Sequence, residues 1–218
     1  MRVGVIGLGS MGMGAALSAL RAGLAVTGCD PRAAARDEFI AAGGAAVAKA
    51  SDLPDGLEAL VVLVVNAAQT EAAVFGPDGA APRMAKCGVI ISSATMAPDG
   101  ARALAAKADA AGLLYLDAPV SGGAVKARAG EMTVMGAGSE AAFAKAAPVF
   151  DAIATKVWRL GSEIGIGATV KVVHQLLAGV HIAAAAEAMA LGIRAGADPQ
   201  ALYDVVTSAA AICTPANN

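Results

Sequence analysis

A short apolar run, Val3-Gly-Val-Ile6, leads directly into Gly7-Leu-Gly9-Ser-Met-Gly12. An apolar run of this length followed by glycine reads as a buried strand ending in a tight turn, and Met11 to Ala22 reads as the helix that the turn opens. A GxGxxG run acquires meaning only in that strand-turn-helix context. There Gly7 permits the turn, Gly9 lets the backbone approach a pyrophosphate, and Gly12 lets helix pack on strand. Leu8, Ser10 and Met11 complete a loop of N–H groups at a helix N-terminus, where the dipole favours an anion. Gly7, Leu8, Gly9, Ser10, Met11 and Gly12 are therefore candidate dinucleotide-binding residues. Asp30 follows about 20 residues on, at the end of the second apolar run, Ala25 to Cys29. A carboxylate there can accept both ribose hydroxyl hydrogens and repels a 2′-phosphate, which favours NAD. Arg32 lies two residues further and could serve a phosphate instead. Asp30 before Pro31 also suits a turn, and both roles are compatible.

Beyond this loop the pattern alternates. A helix over Ala33 to Ala42 precedes Leu60-Val-Val-Leu-Val-Val65, an apolar run on both faces that belongs in a parallel sheet. Val89 to Ile91 and Leu113 to Leu116 are further strands, with a helix from Ala101 to Ala111 between them. This predicts an α/β fold of Rossmann type, a doubly wound and mainly parallel sheet. From Glu163 the texture is helical only. A long helix over Gly165 to Ala195 links to a second helix, which starts at Pro199 with Asp198 as its cap. The expected organisation is a dinucleotide-binding domain over 1–162 and the start of an all-α domain over 163–218, with an aperiodic tail after Ala211.

Composition narrows the partners. The 218 residues carry 16 Lys plus Arg against 18 Asp plus Glu, a net charge of −2, which argues against a nucleic-acid partner. High hydropathy with few charges argues against disorder. Leu176 to Ile193 is the most apolar long stretch, but it holds His181 and Glu187 and much of it is alanine, so no membrane span is expected. Three separated cysteines, Cys29, Cys87 and Cys213, form neither a disulfide framework nor a zinc site, and a cytoplasmic location follows. No metal site is expected. The abundant alanine sits mainly on helices that must pack closely.

Two more segments can carry chemistry. Ser121-Gly122-Gly123 follows a strand, where ligands bind in open α/β sheets. Its exposed N–H groups and the Ser121 hydroxyl could hold a small carboxylate, or the segment is an ordinary glycine-rich turn. Lys171 stands in an apolar helix with no acidic residue at i±3 or i±4. Buried, it would have a depressed pKa and could act as acid or base; otherwise its stem carries the amine to solvent. Gln175, at i+4, projects from the same face. His174 and His181 are seven apart, which does not suit a zinc pair. Met11, Met13, Met132 and Met135 read as core, and Cys29 as inert.

Taken together, Gly7-Leu-Gly-Ser-Met-Gly12, Asp117-Ala-Pro-Val-Ser-Gly-Gly123 and Gly165-x-Gly-x-x-x-Lys171 resemble the β-hydroxyacid dehydrogenase family, which includes 3-hydroxyisobutyrate dehydrogenases and tartronate semialdehyde reductases. The resemblance spans about Met1 to Thr207. It implies that Lys171 is the catalytic acid/base and that Ser121, Gly122 and Gly123 bind the substrate carboxylate. The cofactor is then NAD and the substrate a small hydroxy acid. The family's Ser-Thr cofactor pair is Ala94-Thr95 here, so only Thr95 matches. Its Asn-Asn after Lys-x-x is His174-Gln175, and the helix from Lys171 to His181 resembles the branch that oxidises L-threonate, a four-carbon sugar acid. Other readings are an NADPH-dependent semialdehyde or imine reductase, or a dinucleotide-binding module without catalysis. Family members continue with further helices, so a shortened helical domain with uncovered apolar faces is expected, and a homo-oligomer if that domain is complete.

Overall fold

The central strands are buried on both sides, and side-chain alternation divides them between two cores. In the computed structural model, which describes residues 1–208, β1 (Arg2–Ile6), β4 (Leu57–Val62) and β5 (Met84–Ser92) form the centre of the sheet. Val3, Val5, Val61 and Ile91 face one core with Met13, Phe143 and Phe150. Ile6, Leu60, Val62 and Ile90 face the other with Val74 and Leu104. Period-two alternation in a strand covered by helices on both faces requires this division.

The strand order is β3-β2-β1-β4-β5-β6-β8-β7, with β2 (Ala25–Cys29), β3 (Ala45–Val47), β6 (Leu114–Asp117), β7 (Val120–Ser121) and β8 (Met132–Gly138); β9 (Ala154–Arg159) pairs with β8. From β3 to β6 every pairing is parallel, while β8 runs antiparallel to β6 and β7. The expected doubly wound, mainly parallel sheet is what forms.

Helices α1 (Ser10–Arg21), α2 (Ala33–Ala41) and α4 (Pro98–Ala110) lie close to where their periodicity puts them. One boundary moves. The apolar run continues to Val65, but β4 stops at Val62 and Val65 is exposed. Asn66 caps α3 (Ala67–Phe75) through the Gln69 N–H, and the Gln69 side chain accepts from the Val65 N–H at 3.0 Å. The Leu63 N–H still bonds the Ile6 carbonyl at 2.8 Å, and the local bonds turn the chain off the ladder after it, at Val64 and Val65. Sequence periodicity also passes over α3, α5 (Gly123–Ala129), α6 (Glu140–Ile153) and strands β3, β7, β8 and β9. Strand β8 contains Gly136 because Phe143 leaves no room for more: a Cβ there would stand 2.8 Å from its ring.

Alanine serves close packing. Ala15, Ala16, Ala19, Ala142 and Ala146 are all buried where helices meet the sheet. The chain divides into two compact units, Met1–Val172 and a second beginning at Val173. The first includes the opening turns of α7 (Ile166–Arg194). The second holds the rest of α7 and α8 (Pro199–Ser208), where Asp198 Oδ1 accepts from the Ala201 N–H at 2.9 Å, the expected cap. By length and composition α7 is apolar enough to cross a membrane, although His181 and Glu187 lie within it. Its residues Leu176, Leu177, Val180 and Ile182 are exposed. The expected tail after Ala211, with Cys213, lies outside the described residues.

Candidate active site

The glycine loop behaves as three different constraints. Gly7 has φ +90°, and a Cβ there would stand 2.6 Å from the Leu63 carbonyl oxygen. At Gly12 a Cβ would fall inside the contact distance of the Gly7 carbonyl oxygen, so the first turn of α1 sits directly on the end of β1. Gly9 differs: its φ of −73° is ordinary, and a Cβ would meet nothing within 4 Å. The open side of Gly9, at the N-terminus of a 12-residue helix, is the space a diphosphate needs. The residues present thus fit a dinucleotide.

A cavity of about 660 Å³ opens beside this loop, lined by Gly7, Gly9, Asp30, Arg32, Lys49 and Gln69 among others. Asp30 Oδ2 accepts the Leu8 N–H at 2.9 Å, which ties the loop to the end of β2. Arg32 adds backbone and side-chain N–H bonds to the same carboxylate, each at 2.9 Å. Burial pushes the Asp30 carboxyl up, but the Arg32 and Leu8 N–H bonds outweigh it and hold it below the usual carboxylate range. The Arg32 clamp is a feature sequence reading missed. A ribose diol approaching Asp30 must share the carboxylate with that guanidinium or displace it. Cys29 beside it is inert, because burial first, and the Asp30 charge second, push its thiol up to about 11.

Strand register sets out the rest of the site. Cys29, Ile6, Val62, Ser92 and Asp117 are successive Cα partners across β2, β1, β4, β5 and β6. Four strand spacings separate the first from the last, roughly 19 Å along the carboxyl edge. Asp30 and the glycine loop stand near one end. Past β5 comes Thr95, which is exposed and does not line the cavity, and Ser93, whose buried Oγ has no hydrogen-bond partner. Ser93 is a second polar group that sequence reading missed, since a serine after an apolar strand carries no signal of its own.

Beyond β6, Ser121 pairs with Thr133 in β8. Gly122 and Gly123 follow with φ of +134° and +72°, so both need glycine. A Cβ at Gly123 would meet nothing within 4 Å, which leaves its backbone open to a ligand. Asp117, the last residue of β6, is buried, and its Oδ2 accepts from the Gly165 and Ala168 N–H groups at 2.9 Å each. Those residues begin α7, and Lys171 lies one turn on. Lys171 is 7% exposed, and burial lowers its amine below the ordinary lysine range. The snorkelling alternative is thereby excluded. Gln175 belongs to the second unit; it is exposed, with Oε1 3.3 Å from His174 Nδ1. Among the described residues, no group of three or more His, Cys, Asp and Glu is placed to hold a metal ion.

Comparison with known proteins agrees with this geometry. Residues 2–161 match the family described as the NAD binding domain of 6-phosphogluconate dehydrogenase. Residues 165–218 match the one described as NAD-binding of NADP-dependent 3-hydroxyisobutyrate dehydrogenase. The chain is 54% identical over 209 residues to an L-threonate dehydrogenase of Haemophilus influenzae, covering 95% of this chain and 69% of that one. It is 34% identical to a 2-hydroxy-3-oxopropionate reductase of Escherichia coli, covering 91% and 68%. A 3-hydroxyisobutyrate dehydrogenase structure from Salmonella typhimurium superposes with a TM-score of 0.92 at 52% identity, covering 98% of this chain and 74% of that one. A Streptomyces aurantiacus imine reductase, at 21% identity and TM-score 0.85 over 95% of this chain and 72% of that one, shares the fold.

Proposed function

The chain belongs to the 3-hydroxyisobutyrate dehydrogenase-like family of nicotinamide-dinucleotide oxidoreductases, and on that premise we propose that it oxidises a small hydroxy acid, L-threonate or a related four-carbon sugar acid, with NAD. The observation that carries this reading is the carboxyl edge of the sheet. It has a glycine cradle at β1 and, on the helix anchored at β6, a buried lysine whose amine burial pushes below the ordinary lysine range.

The nicotinamide, when bound, supplies the hydride acceptor. Lys171, as neutral amine, takes the hydroxyl proton as the carbonyl forms; in reverse its ammonium polarises the carbonyl and returns the proton. The backbone N–H groups of Ser121, Gly122 and Gly123, with the Ser121 hydroxyl, hold the carboxylate. Gly7, Leu8, Gly9, Ser10, Met11 and Gly12 hold the diphosphate, Asp30 takes the ribose hydroxyls, and Thr95 is the cofactor-loop residue after β5. Gln175, four residues after Lys171 in the sequence, is the residue this reading gives the substrate's further hydroxyls. The reading includes a cytoplasmic location, supported by free Cys29 and Cys87, and testable by cell fractionation. It also includes a homo-oligomer where the helical domain is complete, supported by the exposed apolar residues of α7, and a monomer in light scattering of a chain with the complete domain would overturn that part.

Turnover on a panel of hydroxy acids, with fluorescence titration of NADH and NADPH, tests the reading. Tight NADH binding without turnover on any acid would leave a binding module. Arg32 favours a second reading, an NADPH-dependent semialdehyde or imine reductase, because its guanidinium already stands at the ribose end of the cavity. Asp30 keeps its negative charge there, so NADH should bind at least about tenfold tighter than NADPH. Arg32→Ala should widen that ratio. Tighter binding of NADPH by the parent chain would overturn the NAD assignment.

A further inference from the structure

We propose that Asp117 is a positioning residue for Lys171, fixing the first turn of α7 on the carboxyl end of β6 so that the amine is held at one buried place. The proposal rests on the role given to Lys171 above. The first N–H groups of a helix lack intrahelical acceptors, and a neighbouring Ser, Thr, Asp or Asn usually supplies one. Here the acceptor comes from 48 residues earlier in the chain: one carboxylate oxygen takes both the Gly165 and Ala168 N–H groups. That makes it a tertiary anchor as well as a cap. Lys171 follows Ala168 by three residues and so lies one turn further on nearly the same side of the helix.

The anchor has no slack. Asp117 is held from both sides of its strand, by pairing with Ser92 in β5 and with Ala137 in β8. A Cβ at Gly167 would stand 2.6 Å from the Asp117 carbonyl oxygen and 2.7 Å from that of Met135. The helix therefore seats by backbone contact against two strands. Burial raises the Asp117 carboxyl's proton affinity. The Ala168, Gly165 and Gly167 N–H groups oppose that, as does the charge of Arg102 on α4. Arg102 also faces this seat from the α4 side, its guanidinium 3.1 Å from where a Gly165 Cβ would be. The Lys171 amine owes its lowered proton affinity to burial, so whatever lets the helix lift lets water reach it.

The test uses the full chain and reads Lys171 directly, by acylation at a series of pH values with peptide mapping in a mass spectrometer. Asp117→Ala should move the titration of Lys171 up, towards ordinary lysine. It should also cut kcat about a hundredfold, the effect of a misplacement of about 1 Å, with the NADH Kd changed less than about twofold. Asp117→Asn keeps an oxygen for both N–H bonds and should stay near the parent in both readouts. Gly167→Ala, which changes no charge, should behave like Asp117→Ala, and it carries the test if Asp117→Ala does not fold. Parent-like labelling in Asp117→Ala or Gly167→Ala would overturn the proposal. So would an Asp117→Asn variant as impaired as Asp117→Ala, since charge and not anchoring would then be at work. The labelling reports anchoring whatever the reaction, whereas unchanged turnover in Lys171→Ala would remove the catalytic role itself.

Discussion

Lys171→Ala is expected to lose about a thousandfold in kcat while binding NADH as tightly as the parent chain. That loss corresponds to about 4 kcal/mol of transition-state stabilisation, within the range of a positioned acid–base group. Lys171→Arg separates charge from proton transfer. Arginine keeps the cation but cannot give up its proton near neutral pH, so it should be nearly as slow as the alanine variant. The pH dependence follows from the direction of the shift. Because burial lowers the amine's proton affinity, hydroxy-acid oxidation should rise with pH through a value below the ordinary lysine range, and carbonyl reduction should fall through it. Stability carries the same signature. Between the lowered value and the ordinary one the unfolded chain binds the proton better, so stability rises with pH across that window. Lys171→Met should lose that slope. Near-parental turnover in Lys171→Ala, measured by NADH absorbance on any acid the parent oxidises, would overturn the acid–base role.

How much of this was legible in the sequence depends on the distance over which each feature is specified. The β1 turn is written in six consecutive residues, and the structure puts Gly7, Gly9 and Gly12 in three different environments: a positive φ against Leu63, open space, and contact with the Gly7 carbonyl. The parallel sheet was legible because residues such as Leu60 to Val62 are apolar on both faces. The end of β4 was not, since the same apolar pattern continues through Val65 and only the Asn66 and Gln69 side chains stop the ladder. Strand β8, Met132–Gly138, carries two glycines for close packing and so reads as loop. The Ala-rich helices α3 and α6 give periodicity little contrast. In the sequence Asp117 is only the first residue of the Asp117 to Gly123 motif. Its partners are Gly165 and Ala168, and no local pattern connects residues so far apart. Arg32 reads in the sequence as a phosphate ligand, and its bonds to Asp30 depend on how the chain turns at Pro31.

The glycine loop yields the sharpest pair of substitutions, because two glycines in one motif should fail in different ways. Gly12→Ala pushes a methyl into the Gly7 carbonyl, and neither partner can yield. Gly7 is held by its own φ of +90° and by the Leu63 carbonyl behind it, and the helix axis is fixed by buried Met13, Ala15 and Ala16. Overpacking of this kind costs about 3 kcal/mol, and the loop that survives is displaced from its diphosphate geometry. NADH affinity should fall at least about a hundredfold, equivalent to about 2.7 kcal/mol. Gly9→Ala places its methyl in open space and keeps an ordinary φ. Losing glycine's freedom in the unfolded chain stabilises by about 0.4–1 kcal/mol, and alanine is a poorer helix cap than glycine by a similar amount, so the two effects nearly offset. Its melting temperature should therefore match the parent. The open space is the approach path of the diphosphate, however, so NADH affinity should still fall, by about thirtyfold or more. Thermal unfolding measured beside NADH fluorescence titration separates the two. A Gly9→Ala chain that binds NADH like the parent would mean that the diphosphate does not lie against this loop.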